Sequence, residues 1–299
     1  MIFYIKWRKE ELILKKEANY YSFFKRILNF FRDKNILFGV SFLTVLFFFV
    51  LFRNFLTFIP DPNSSHFPIL RNVSSSHWMG TDEVGYDVFS RVVEGARISL
   101  IISFITVIIS AIIGTFLGII SGYFGGFLDN IVLFICDFFI IFPDIILAVI
   151  IMLLIGNQSI YALILVLSIV CISSYIRLIR AQTLLIKEKD FIKASKALGA
   201  SESRIILKHI FPNICTTLVT KMILNMSSVI LAISGFGFIG LGIDRTKPEW
   251  GNILYSSREH LTNYPHLFYF PFIIILLTSF SFNLIGKGLL NCLKNDFND

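Results

Sequence analysis

The stretch KEKDFIKASKALGASESRIILKHIFP, residues 187 to 212, is the longest polar segment between apolar runs in the second half of this chain. Apolar and small side chains recur in it at the spacing i, i+3, i+4 and i+7: Phe191, Ala194, Ser195 and Leu198. Basic side chains occupy another face of the same pattern: Lys189, Lys193 and Lys196. This spacing predicts an amphipathic helix over residues 189 to 199.

A turn is predicted at Gly199, because a glycine at this position can adopt the positive φ that often follows a helix. A second short helix is predicted from about Ser201, and Pro212 is expected to end it. Both helices carry charge between two long apolar runs of the chain. We therefore expect the pair to be a docking element for a partner outside the lipid bilayer.

The composition is typical of a protein with several membrane spans. Hydrophobic residues make up 55% of the 299 residues and charged residues only 16%, so the chain is far more apolar than an ordinary soluble domain. Six runs are near the roughly 20 residues that cross a bilayer: residues 36 to 58, 98 to 121, 131 to 155, 160 to 179, 219 to 242 and 267 to 286. The predicted fold class is all-α and polytopic, with six transmembrane helices.

The distribution of basic residues predicts the orientation in the membrane. With the N-terminus inside, the cytoplasmic segments hold 19 Lys and Arg and the external segments hold 6, and such an excess marks cytoplasmic loops. Both termini are therefore predicted to be cytoplasmic, with residues 59 to 96 external and 291 to 299 a cytoplasmic tail. Residues 1 to 35 are expected to form either an interfacial helix or a solvated tail. The net charge of +7 follows from this asymmetry, so no nucleic-acid partner is expected.

Sequence motifs for catalysis are missing. The chain has no GxxxxGK[ST] phosphate-binding loop, no HExxH and no GxSxG. The GFGFIG string at residues 235 to 240 lies inside a membrane-spanning run and lacks the βαβ context of a dinucleotide site. Its glycines are expected to let another backbone come near. The chain is therefore predicted to be no enzyme, to hold no cofactor or metal, and to take its energy from another chain.

Two carboxylates lie within the third apolar run, Asp137 and Asp144. A carboxylate inside a bilayer costs about 3 kcal/mol, so each needs either an ion-pair partner or a role in proton or ion movement. Asp137 is expected to pair with Arg177 or Arg180, which lie at a similar depth in the next span. For Asp144 both interpretations stay open.

Several motifs, in order along the chain, resemble one family. DFIKASKALGAS at residues 190 to 201, followed by IFPN at 210 to 213, resembles the EAA loop of ABC importer membrane subunits. HWMGTDEVGYDVFSR at 77 to 91 and GARISL at 95 to 100 resemble the C-type permease of oligopeptide, dipeptide and nickel importers. Three later motifs fit the same family: FIGLG at 238 to 242, PEWG at 248 to 251 and NLIG at 283 to 286. The resemblance covers about residues 20 to 292.

The resemblance implies a type I ABC importer permease fold, with one N-terminal helix added to a five-span core at residues 97 to 290. It implies a cytoplasmic coupling loop at 180 to 213, whose helix docks in a groove of a separate ATPase. The implied coupling residues are Asp190, Phe191, Lys193, Ala194, Ser195, Lys196, Leu198 and Gly199. The implied partners are a homologous second permease, two cytosolic ATPases that bind ATP and Mg, and an external substrate-binding protein.

The function implied is a permease subunit in the cell inner membrane that imports oligopeptides or dipeptides. Alternatives are an importer of nickel or another small solute, a proton-coupled secondary transporter using Asp137 and Asp144, and a sensor or scaffold without substrate flux. The residues of the substrate pathway are not predicted. Lys193 departs from the family pattern, which usually has Glu there, so an acidic residue is expected opposite it in the ATPase groove.

Overall fold

The computed structural model describes residues 33 to 56, 59 to 155 and 159 to 295, and most of these residues lie in helices. The helices are α1 (Lys34–Phe52), α2 (Val88–Phe124), α3 (Gly126–Ile141), α4 (Asp144–Ile155), α5 (Ile160–Lys187), α6 (Asp190–Ala197), α7 (Glu202–Phe238), α8 (Trp250–Ser257) and α9 (His266–Asn295). Within the described residues, five are long and apolar enough to cross a membrane: α1, α2, α5, α7 and α9. The predicted N-terminal tail lies almost entirely outside the described residues.

The third predicted span, residues 131 to 155, is not one continuous helix. It is divided between α3 and α4 by Phe142 and Pro143. Pro143 has no N–H to donate, and its ring pushes the preceding residue out of the helical region. Phe142 accordingly has φ −87 and ψ 130. Two shorter apolar helices therefore stand where the sequence predicted a single one.

The long helix α2 packs along α5 through a row of glycines at every fourth position. A Cβ placed on Gly114 would lie 2.4 Å from the Cβ of Tyr175, and one on Gly118 would lie 2.9 Å from the carbonyl oxygen of Ile176. A Cβ on Gly122 would lie 2.8 Å from the carbonyl oxygen of Arg180. This GxxxG spacing makes the close contact possible, because only glycine lets the two backbones approach this far.

Helix α7 corrects the prediction that a second short helix ends before Pro212. The helix runs without a break from the polar loop into a membrane-length segment. Directly before the proline, Ile206–Ile210 forms a π-helical turn, and the Phe211 N–H donates to the carbonyl five residues back, that of Ile206. This wider turn relieves the clash that a proline ring makes with the preceding turn. Pro212 therefore lies near the start of the membrane segment and does not end the helix.

The segment before α2 is extended and hydrogen-bonded, with no helix or strand over residues 59 to 87. A single antiparallel bridge joins Thr81 to Asp87. Asp87 also begins α2, because its Oδ1 accepts a 2.8 Å hydrogen bond from the N–H of Ser90. Its Oδ2 lies 2.8 Å from Nδ1 of His77. This buried carboxylate explains why α2 begins at Val88, ten residues before the predicted start of the second span.

We expect Gly118→Ala to lower the stability of the purified protein by about 1–3 kcal/mol, the usual cost of overpacking. The added methyl group would press on the Ile176 carbonyl and on Ile179 Cβ, both 2.9 Å away. The measurement is the thermal unfolding midpoint in detergent. Gly235→Ala is the matched control, because nothing lies within 4 Å of its added Cβ. Equal midpoints for the two variants would contradict the role given to the α2–α5 contact.

Candidate functional site

Helix α6 lies outside the membrane-length helices, between the end of α5 and the start of α7. One of its side chains, that of Ile192, is buried at 3% exposure. Ile192 belongs to an apolar cluster that includes Ile186, Ile205 and Tyr123, from the ends of three longer helices. This anchor fixes α6 against the ends of α2, α5 and α7.

The predicted contact face of α6 points away from the rest of the chain. Phe191 is 44% exposed and Leu198 is 88% exposed, while Ala194 is exposed and Ser195 half-buried. Gly199 has φ +79, as predicted for the turn that follows the helix. Its N–H donates to the Lys196 carbonyl at 3.0 Å, which closes this turn. The structure thus leaves Leu198 almost fully exposed, while Phe191 is partly covered by the ring of His209, 6.2 Å away between centroids.

The charged residues of α6 form ion pairs within the chain. Lys193 Nζ lies 3.2 Å from Glu188 Oε2, and Lys196 Nζ lies 3.4 Å from Glu202 Oε1. Asp190 lies in the first turn of the helix, where a negative charge is favourable to the helix dipole. These ion pairs are largely exposed, so each contributes at most about 1 kcal/mol.

A polar contact that the sequence did not predict joins the loop to the spans. The hydroxyl of Tyr123, at the end of α2, donates to the Glu202 carboxylate at the start of α7. Lys187, at the end of α5, donates from Nζ to the Tyr123 carbonyl at 2.7 Å. Lys196 of α6 pairs with the same Glu202. These residues lie up to 79 positions apart, so no local sequence signal indicates their contact.

Ion pairs also connect α3 with α5. Asp137 pairs with Arg177, which confirms the predicted structural role of this carboxylate. Arg180 pairs instead with Asp129 through two parallel hydrogen bonds, Nε to Oδ1 at 2.5 Å and NH2 to Oδ2 at 2.6 Å. The side chain of Asp144 lies outside the described part of the structure. For Asp137, the pairing supplies a reason other than proton movement for a charge in an apolar helix.

On the opposite side of the bundle, Glu249 is a fully buried carboxylate. Oε1 accepts a 2.9 Å hydrogen bond from the Ser99 hydroxyl of α2, and Oε2 accepts one of 2.8 Å from the Gly251 N–H at the start of α8. Burial raises the pKa of Glu249 to about 7, against these hydrogen bonds, which lower it. Glu249 therefore caps α8 and attaches it to α2.

Trp250 follows this carboxylate and is fully buried, with 0% exposure. Its indole N–H donates to the Val92 carbonyl at 2.9 Å. Nearby, a Cβ on Gly237 would lie 2.7 Å from the Cα of Gly251, so the expected close approach at the glycine string of α7 is confirmed. These two contacts pack α8 against α2 and α7.

A cavity of about 580 Å³ opens between α4, α5 and α7. Residues of α7 and its C-terminal end line it at alternating spacings of four and three: Lys221, Asn225, Ser228, Ala232, Gly235 and Ile239. These spacings describe one helix face, which spans about 27 Å along the axis, close to the thickness of a bilayer core. On the facing helices the wall includes Leu167, Ser174 and Ile145. The cavity is thus a tall groove with mostly apolar walls.

Membrane-length helices, the short polar helix α6 outside them and a groove of bilayer height are typical of a membrane transport subunit. The chain belongs to the family described as binding-protein-dependent transport system inner membrane component, which matches residues 114 to 297. The predicted resemblance to C-type ABC importer permeases is confirmed by this match and by the relatives described next.

Two relatives illustrate the similarity. The dipeptide transport system permease protein DppC of Alkalihalophilus pseudofirmus is 35% identical over 262 residues, which are 88% of this chain and 86% of that protein. The glutathione transport system permease protein GsiD of Shigella flexneri is 39% identical over 220 residues, 74% of this chain and 72% of that protein.

The MetNI methionine ABC transporter, in an inward-facing conformation, has a similar fold. The match has a TM-score of 0.52 at 22% identity and covers 66% of this chain and 95% of the matched chain. At this identity the similarity concerns the fold, which agrees with the predicted type I importer architecture.

The buried Glu249 predicts how stability depends on pH. Its folded-state pKa of about 7 lies above the ordinary value of 4.5. The stability contributed by the protonated group is therefore complete below pH 4.5 and is lost as pH rises through about 7. We expect wild type to lose up to about 3 kcal/mol over this range relative to Glu249→Gln.

Thermal unfolding in detergent at a series of pH values measures this difference. Glu259→Gln is the control, because Glu259 is an exposed acid just after the same short helix. Parallel curves for wild type and Glu249→Gln would show that the carboxylate stays in one protonation state across the range.

Proposed function

We propose that this chain is the C-type permease subunit of an ATP-driven importer of small peptides. Family membership supports the transport role, and the names of two relatives, a dipeptide and a glutathione permease, support the substrate class. In this proposal the chain itself is not an enzyme, and ATP hydrolysis belongs to partner subunits. The pairing of Asp137 with Arg177 removes one reason to consider a proton-coupled mechanism.

The proposed assembly contains this chain, a homologous second permease, two cytosolic ATPases that bind ATP and Mg, and an external substrate-binding protein. The N- and C-termini face the cytoplasm of a cell whose inner membrane holds the complex. The excess of basic residues in the loop at 180 to 213 supports this orientation. The second permease would complete the groove between α5 and α7 into a closed path.

The observation that carries the proposal is the exposed apolar face of α6. Leu198, which follows the last residue of this short helix outside the membrane spans, is 88% exposed, and at this place a partner protein would cover it. A groove on a partner would bury both Leu198 and Phe191, and the burial of each would contribute about 2 kcal/mol. The resemblance to the EAA loop supports an ATPase as this partner.

Coupling is proposed to pass from α6 to α7 through short, direct contacts. Ile192 packs α6 into the apolar cluster that includes Ile205 of α7. Lys196 forms an ion pair with Glu202, the first residue of α7. Because α7 continues unbroken to the cavity wall, a shift of α6 moves that wall as part of a rigid element. ATP-driven closure of the ATPases would thereby open the transport path alternately to the two sides of the membrane.

The role of Lys193 follows from its ion pair. Glu188 lies 3.2 Å away and provides a partner within the chain. The proposed acidic residue of the ATPase groove would compete for the same ammonium. Docking then exchanges one exposed ion pair for another, which costs at most about 1 kcal/mol. A lysine is therefore compatible with docking at a position where the family usually has Glu.

Gly199→Val should uncouple ATP hydrolysis from uptake in the assembled complex. Valine resists the φ of +79 that Gly199 adopts, at a cost of about 1–2 kcal/mol, so the turn that orients α6 would change. The measurement is the number of substrate molecules imported per ATP hydrolysed. Gly199→Asn is the control, because asparagine tolerates this conformation. A Val variant with the wild-type ratio would remove Gly199 from the coupling mechanism.

The function itself is tested by uptake into a strain that lacks this gene, with and without the intact gene. We expect labelled dipeptide to enter only with the gene, and the ATPases to copurify with the permease in stoichiometric amounts. Uptake should persist with an uncoupler while ATP lasts. Labelled nickel ion, offered in parallel, tests the alternative substrate. Nickel uptake without peptide uptake would replace the proposed substrate class, and a protein without any flux would be a sensor or scaffold.

A further inference from the structure

Lys221 is a cation on the wall of the tall groove. It lies on α7 eight residues after Asn213, or about 12 Å further along the helix axis. The side chain is half-buried and lines the 580 Å³ cavity. An ammonium group on a mostly apolar wall of a membrane-length helix needs a reason.

No carboxylate of the described residues supplies that reason. Two acids of α3 form ion pairs with arginines of α5: Asp137 with Arg177, and Asp129 with Arg180. Lys221 Nζ lies instead over the ring of Tyr175, 5.8 Å from its centroid. A cation over an aromatic face is held in place with a small gain in energy, and its charge is not neutralised. The cavity wall of the described residues thus presents a positive charge without a counter-ion.

Further hydrogen-bond donors lie beside this charge. Asn225 and Ser228 follow Lys221 by one and two helical turns on the same cavity-lining face. Asn225 is buried, and its side chain is in hydrogen-bonding contact with Tyr175, the residue over whose ring the Lys221 ammonium lies. The amide NH2 carries two donors, so one of them remains for a ligand in the cavity. Ammonium, amide and hydroxyl groups in sequence along one face form a donor set suited to a carboxylate.

We propose that Lys221, Asn225 and Ser228 bind the carboxylate of a peptide substrate as it passes through this half of the path. The inference rests on the proposed function and names the residues that select its substrate. One cation and no described anion line the cavity, so complementarity favours the negative end of a zwitterionic peptide. Because the opposing wall is apolar, this site would also orient the peptide within the groove.

The test uses the assembled importer in proteoliposomes, with labelled alanyl-alanine and labelled alanyl-alanine amide as probes. Lys221→Met removes the charge and keeps the length, Lys221→Arg keeps the charge, and Lys34→Met is the matched control at the exposed start of α1. We expect Lys221→Met to lower uptake of the free dipeptide about tenfold relative to the amide, the effect of one hydrogen bond to a charged group. Lys221→Arg should keep most of the uptake of the free dipeptide, and Lys34→Met should import it as well as wild type does.

The outcomes separate this inference from the proposed function. Equal losses for both probes in Lys221→Met, or no loss for either, overturn the carboxylate site and leave the peptide importer standing. If the wild type imports only the free dipeptide, the Lys221→Arg variant is decisive. Uptake close to that of wild type supports the site, and a loss of uptake as large as that in Lys221→Met overturns it. A wild type that moves neither probe overturns the proposed substrate and this site together.

An anionic lipid headgroup offers a similar charge, and vesicle composition distinguishes it from substrate. The uptake ratio of the two probes is measured in vesicles of phosphatidylcholine alone and in vesicles that also contain phosphatidylglycerol. A substrate site predicts the same Met-to-wild-type ratio in both membranes. An effect of Lys221→Met that appears only with phosphatidylglycerol would assign the lysine to lipid and overturn the proposal.

Discussion

The close contact of α2 with α5 is the constraint on which the other parts of the bundle depend. Apolar side chains gain little by meeting each other inside lipid, so two helices associate closely there when their backbones fit. Three glycines of α2 supply that fit against Tyr175, Ile176 and Arg180 of α5. With α5 fixed in this way, its C-terminal end carries Lys187 to the Tyr123 carbonyl, and its other faces contact α3 and line the groove.

Polar groups in this structure work mainly as connections between helices that are distant in sequence. Arg180 bonds Asp129 across 51 residues, Ser99 bonds Glu249 across 150 and Trp250 bonds Val92 across 158. Each such group would be costly alone in an apolar surrounding, and each is stable because its partner is supplied by another element. The molecule thus combines an apolar exterior with a few satisfied polar contacts at both ends of the bundle.

The sequence predicted features whose cause is local or periodic. The glycine string at residues 235 to 240 indicated a close approach of another backbone, and Gly199 indicated a positive φ. The depth of Asp137 in its apolar run reduced its possible ion-pair partners to two arginines, of which one is correct. It failed where a residue's effect depends on distant neighbours. Pro212 has the same local chemistry whether it ends a helix or follows a π turn. The groove residues were missed because their shared face becomes meaningful only when α5 stands opposite.

The π turn before Pro212 has a geometric consequence for the two ends of α7. A regular helix rotates about 100° per residue, and a π turn accommodates one residue more than a regular turn would. The faces on either side of Ile206–Ile210 are therefore out of phase with a single continuous helical wheel. Ile205 faces the apolar cluster around Ile192 while Lys221 and Asn225 face the groove, and the extra residue of the π turn sets the angle between these two directions.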